Sequence, residues 1–277
     1  MENKFELEKV TSNTVANTSG LGRGNVGAIA LNNYSVAIDS TLYAKLGLRF
    51  KKKLEEKFNL PVKYLILTHY HMDHILGVKS FKGIPIISSE ILYKNIKNKK
   101  EELSKNIENL SSEDPNAEGV ELYFPTLTFI NKLYLKDGDK EIEIQHTGGH
   151  TSGSSIVYFP HESVVFAGDL IFEKMFPYAG DETCSPEALI SSLEHIKNLK
   201  PDLIVPGHGP ILNGKEDLQN HIDFYKELRK SVRTGIMQGL KPDQIKAPKF
   251  FKQRADELKS VTIQHWYNFY KKILGNS

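Results

Sequence analysis

The chain is short of cysteine, of long apolar runs and of any excess of one charge, and each shortage removes a class of protein. Cys184 is the only cysteine in 277 residues, so no internal disulfide framework is available and a reducing, cytoplasmic setting is expected. No apolar stretch approaches the roughly 18 residues of a membrane-spanning helix, and the opening MENKFELEKV lacks the apolar core of a signal peptide. Lys and Arg number 36 against 34 Asp and Glu, a net charge of +2, too even a balance to draw nucleic acid or a membrane surface. There is no internal repeat and no low-complexity tract. The length is enough to bury a sizeable core unaided.

What the chain does have is histidine and aspartate in one place. Thr68 to His74 reads THYHMDH, directly after the apolar run Val62 to Leu67, which reads as a buried strand. Residues two apart in an extended segment face the same way, so His69 and His71 can hold one ion while Asp73 and His74 face a second. Three later Gly-rich segments each carry one more ligand type: His150 in TGGHTSGS, Asp169 in FAGDL and His208 in PGHGP. Glycine beside a ligand lets the backbone turn sharply at a strand end. Mixed imidazole and carboxylate donors suit zinc, with iron or manganese as alternatives. His146, four residues before His150, reads as a supporting residue rather than a ligand.

Around these segments the pattern is sheet, helix, sheet, helix. Strands are expected at Phe5–Val10, Asn25–Leu31 and Ser35–Asp39, then a helix over Leu42–Phe58 with apolar groups every fourth residue. Glu90–Leu110 reads as a solvated amphipathic helix followed by a mobile SSEDPNAEG loop. A second β-rich block follows: Lys132–Leu135, Glu141–His146, Ser155–Phe159 and Ser163–Ala167, with a hairpin turn at Asp137-Gly138-Asp139. After a helix at Pro186–Leu199 and a strand at Leu203–Val205, the chain reads as helical from Lys215 to Leu274. The division expected is a core domain, 1–214, and a helical extension, 215–277. Gly22 to Gly27 fits GxGxxG, but strand rather than helix follows it, so a turn beside the site is expected instead of a dinucleotide loop. The aromatics of WYNFY, Trp266 to Tyr270, read as core packing.

These motifs, from Asp39 to His208, resemble those of the metallo-beta-lactamase superfamily. The resemblance implies His69, His71 and His150 at one metal, Asp73, His74 and His208 at the other, and Asp169 bridging both. It implies an α+β fold, an αβ/βα four-layer sandwich of two mixed sheets with helices outside. Asp39, in VAIDS, matches the position whose carboxylate orients the site. The complete HxHxDH and the bridging Asp are more similar to glyoxalase II-like hydrolases than to dedicated antibiotic-destroying enzymes. The expected activity is therefore hydrolysis of a small acyl substrate, a thioester, lactone or β-lactam, by a hydroxide bridging two Zn2+, with Asp73 orienting the water or moving its proton. A mononuclear-iron sulfur oxygenase resembling the persulfide dioxygenases is the rival reading. A nuclease similar to RNase Z comes third, for want of a basic arm. A homodimer through the helical tail is a further expectation.

Overall fold

The computed structural model describes residues 5–248 and 256–275. Its central fact is the double-sided burial of its strands. In β4 (Ser35–Ile38) Val36 and Ile38 face one core and Ala37 another, and in β5 (Val62–Ile66) Ile66 and Leu65 divide the same way. A strand that is apolar on both faces must be covered on both faces. The result is four layers.

The first sheet runs β1 (Glu8–Lys9), β2 (Thr14–Asn17), β3 (Val26–Ala30), β4, β5, β6 (Ile86–Ser89), β7 (Leu127–Phe129), antiparallel as far as β4 and parallel beyond it. The second runs β13 (Leu212–Asn213), β12 (Leu203–His208), β11 (Val164–Phe172), β10 (Ser155–Phe159), β9 (Lys140–His146), β8 (Lys132–Asp137), with only β11 and β12 parallel. Between them lies one apolar layer that includes Ile29, Ile66, Ile144, Val157, Phe166 and Val205. Outside the first sheet pack α1 (Ala44–Phe58), α3 (Glu90–Asn98) and α4 (Lys100–Glu113), through Phe50, Leu54, Leu92, Ile96 and Leu103. Outside the second pack α5 (Pro186–Leu199), α6 (Asp217–Met237) and α7 (Asp256–Leu274). This is the expected αβ/βα sandwich.

The differences from expectation have local causes. The helix expected over Glu90–Leu110 breaks at Lys99, whose backbone leaves the helical region, so that α4 starts afresh and turns Leu103 and Ile107 inward. The loop expected behind it begins in helix and contains a 3-10 turn, Pro115–Ala117, with Ala117 fully buried. β2, β6 and β7 carry no apolar run longer than their few residues and owe their form to sheet neighbours. β11 continues past Ala167 to Phe172, and β12 past Val205 to His208.

The helical C-terminal stretch is α6, a 3-10 turn at Pro242–Gln244, and α7; residues 249–255 of it lie outside the described residues. Trp266 is completely buried, its ring stacked on that of Tyr225 at 5.8 Å, and Tyr270 is buried beside it. The WYNFY aromatics therefore pack α7 into the core of the second sheet. Trp266→Ala should destabilise the protein by about 3–5 kcal/mol, the usual cost of emptying a large aromatic site. Chemical denaturation would test this, and a change under about 1 kcal/mol would mean α7 carries little of the core's stability.

Candidate metal centre

All seven expected ligands meet at one end of the sandwich. β5 delivers the chain to the cluster: His69 and His71 lie in the extended segment after it, His71 caps the short helix α2 (Met72–Ile75), and Asp73 and His74 lie within that helix. The loop between β9 and β10 supplies His150, and the last residue of β12 is His208. Two groups result: His69, His71, His150 and Asp169, and Asp73, His74 and His208, the donor atoms of each within 4.8 Å of one another. Asp169 touches both. Its Oδ2 lies 3.5 Å from His69 Nε2, 3.4 Å from His150 Nε2 and 3.3 Å from His208 Nε2, and its Oδ1 lies 3.1 Å from His74 Nε2.

Asp169 was expected in a turn after a strand; it sits inside β11, where the pairing with β12 slips. The slip depends on glycine. Gly168 has φ +51°, and a Cβ on Gly207 of β12 would stand 1.9 Å from Asp169 Oδ1. A bulge of this kind re-aims one side chain without ending the strand.

Three of the imidazoles are held from behind. Asp39 Oδ1 accepts from the Thr68 backbone N–H and Oδ2 from the Thr68 hydroxyl, each at 2.8 Å, and Oδ2 is also 2.8 Å from His74 Nδ1. Thr68 Oγ1 in turn lies 3.1 Å from His69 Nδ1. Asp39 itself has φ +58°, a strained value for a residue with a side chain, kept where it sets this carboxylate under two rings. On the far side Asp181 Oδ2 lies 3.1 Å from His71 Nε2, accepts from the Tyr70 hydroxyl, and its Oδ1 accepts from Thr183 N–H at 2.8 Å and from the Thr183 hydroxyl at 2.6 Å. Each tether orients a ring: the nitrogen facing the carboxylate or hydroxyl carries a proton, His69 Nε2 and His71 Nδ1 turn their lone pairs inward, and His74 Nε2 can do so once it has given up its proton.

The electrostatics agree. Burial lowers the pKa of His69 and, more strongly, of His150, keeping both neutral. Burial would raise Asp169, but His208, His74 and His69 hold it well below the usual carboxylate range. Burial would lower His74, yet Asp169, Asp73 and Asp39 together raise it well above an ordinary histidine. The cluster thus draws in positive charge.

Do these donors fit metal ions? His69 Nε2, His74 Nε2 and Asp169 Oδ1 are buried and make no hydrogen bond. His150 Nε2 and His71 Nδ1, both free of tethers, approach to 2.9 Å, a separation at which two lone pairs need a proton or a cation between them. Orphaned donors converging in this way fit a cation site better than a hydrogen-bond network.

The class defined is a His/Asp metal cluster at the strand ends of an αβ/βα sandwich. The sequence profile of the metallo-beta-lactamase superfamily matches residues 19–208. A beta-lactamase-like protein 2 homolog of Caenorhabditis elegans is 28% identical over 192 residues, 66% of this chain and 53% of that protein. A hydroxyacylglutathione hydrolase of Brucella ovis is 23% identical over 233 residues, 81% of this chain and 71% of that one. Among solved structures, a metallo-beta-lactamase from Pontibacter korlensis superposes with TM-score 0.63 and 20% identity, over 80% of this chain and 99% of that one. The chain belongs to the metallo-beta-lactamase superfamily, most of whose members are metal-dependent hydrolases. It spans about half the length of the first curated relatives it matches.

His146 stays out of the cluster; its Nε2 donates to the Ser152 carbonyl at 2.8 Å and closes the loop that carries His150. Gly22 to Gly27 forms a turn running into β3, and a Cβ on Gly24 would stand 2.6 Å from His74 Nε2, so the segment packs against the cluster. Asp181 is the residue sequence reasoning missed. It stands in AGDET with no spacing or motif to single it out, and only the fold brings it to His71.

Two outcomes follow. Asp181→Asn keeps an acceptor for Tyr70 and Thr183 but removes the charge behind His71, and should weaken zinc binding about ten- to a hundredfold. Competition against a chromophoric chelator measures this, and unchanged affinity would show that Asp181 does not orient His71. Because His74 is raised well above its ordinary value, it is protonated at pH 7 without metal and must give up that proton to ligate. Zinc titrations in buffers of different ionisation heat should therefore show proton release near pH 7; none would contradict the electrostatics above.

Proposed function

We propose that the protein is a binuclear zinc hydrolase of small acyl substrates, a thioester, lactone or lactam. The observation that carries this reading is the pair of His/Asp groups joined through Asp169, with His71, Asp73 and His208 lining a cleft. His69, His71 and His150 would hold one ion, Asp73, His74 and His208 the other, with Asp169 between them. Two zinc ions bound there would supply an activated water and a Lewis acid for the substrate carbonyl.

The chain's own residues do the rest. Asp73, its side chain 23% exposed, is the more accessible of the two cluster carboxylates that line the cleft, and its Oδ2 lies 3.4 Å from His208 Nε2. It is placed to take a proton from the attacking water and pass it to the departing group. His208 stacks on Phe172 with ring centroids 4.8 Å apart and 7° between planes, which fixes its tilt at the cleft floor. Asp39 acts through His74 and Thr68 and touches no substrate. A cleft of about 570 Å³ suits a small molecule rather than a macromolecule.

Elemental analysis of protein purified without chelator, beside hydrolysis of S-lactoylglutathione and a chromogenic cephalosporin, tests the reading. About two zinc per chain with turnover of either compound is expected, and His71→Ala and Asp169→Ala should each lose about three orders of magnitude or more in rate while remaining folded. One iron per chain, no hydrolysis and oxygen uptake with glutathione persulfide would replace it with the sulfur-oxygenase reading.

A further inference from the structure

The cleft above the cluster has a wall chemistry of its own. Leu42, Met72 and Leu103 line one side, and Phe172, Met175 and Leu258 the other, drawn from the loop after β4, α2, α4, the end of β11 and its following loop, and α7. Elements so far apart in sequence bring these six apolar side chains to one cleft, alongside the polar Arg23, Lys99, Glu102 and Asn106 and next to His71 and Asp73 of the cluster.

The charges on the rim are already engaged among the described residues. Lys99 lies 3.4 Å from Glu102 and 2.5 Å from Glu182, and the exposed Arg23 meets the Tyr43 hydroxyl, itself bonded to Asp114 at 2.7 Å. Asp181 is taken up by His71, Tyr70 and Thr183. Of the two lining cations, Lys99 is paired with two carboxylates and Arg23 is held beside the Tyr43–Asp114 pair, so neither is aimed at the cluster floor. An apolar channel with compensated rim charges recognises its ligand by desolvating it.

We infer that this channel seats an unbranched apolar chain, so that the substrate is a lipophilic acyl compound whose carbonyl lies at the cluster and whose chain runs between Met72, Leu103, Met175 and Leu258. The inference rests on the acyl-hydrolase reading and narrows it: a fatty acyl thioester, ester or lactone, rather than a polar hydroxyacyl one. The reaction is the addition of water across the acyl bond, releasing the fatty acid and the thiol or alcohol, with no oxidant or other co-reactant. Specificity would come from Met175 and Leu258, half-buried side chains that the loop after β11 and α7 bring to the cleft wall.

The experiment uses the zinc-loaded full-length protein and two readouts. Calorimetric binding of the carboxylate series from acetate to decanoate should tighten about three- to fourfold per methylene until the channel is full, then level off, as expected for burial of successive CH2 groups. The kcat/KM of acyl thioesters of the same lengths should rise in parallel. Met175→Glu and, independently, Leu258→Glu should flatten both slopes while the zinc content stays at that of the parent, which shows that the cluster and fold persist. Affinity and kcat/KM that do not change with chain length would overturn the inference and leave the acyl-hydrolase reading standing. A binding slope with no turnover of any acyl compound, but with cleavage of an alkyl sulfate of matching length, would overturn the acyl assignment and leave only the chain-binding channel.

Discussion

One buried carboxylate sets the terms for everything around it. Asp169 is almost completely enclosed, within 3.5 Å of four imidazole nitrogens. An isolated ion in such a place costs several kcal/mol, so positive charge has to be supplied close by. Without metal the only local source is protonation of the imidazoles, and the carboxylates accordingly raise both His74 and His208 against the effect of burial. Yet His69 and His150 are buried too deeply to take a proton. A buried carboxylate ringed by imidazoles of which only some can carry charge is a setting that suits cations.

The sandwich makes that expense sustainable. Its strands are apolar on both faces and sheltered by helices on both sides, so a large buried apolar area offsets a polar cavity at one edge. The same layering explains why the site lies where it does. β4, β5, β11 and β12 reach the cavity by their C-terminal halves, and irregularities there are what aim side chains: the left-handed backbone at Asp39, the slip in β11 at Gly168, and the close approach of Gly207. Asp39 and Asp181 then lock the rings from two sides, so the donor atoms are set before any ligand arrives.

The cleft divides the work by polarity. Its floor is the charged cluster and much of its wall is apolar, with Lys99 paired to its own neighbours. Binding energy from the walls can then be spent on placing a reacting group at the floor. The contribution of Leu258 to the wall makes α7 part of the site as well as part of the core.

The ligand residues were legible in the sequence because metal chemistry restricts residue type and because short-range geometry restricts spacing: HxHxDH after an apolar strand can present its donors in few ways, and His150, Asp169 and His208 each sit beside glycines. Two β-rich blocks separated and followed by helices were legible too, from apolar strands such as β5 and helices with one apolar stripe such as α1, while their stacking into four layers was what the family resemblance implied. Asp181 was not legible. A single Asp in a loop looks like any surface aspartate until the fold sets it 3.1 Å from His71. Neither were β2, β6 and β7, whose few residues become strands only when a neighbour offers its ladder, nor the break at Lys99, where tertiary packing overrides a continuous helical pattern. Residue chemistry and spacing, which the chain carries in itself, singled out the His/Asp cluster, and the same motifs carried the resemblance that implied the fold; the support behind the cluster and the apolar side chains of the cleft wall were decided by tertiary structure alone, because they are made of contacts between residues whose separation along the chain carries no signal.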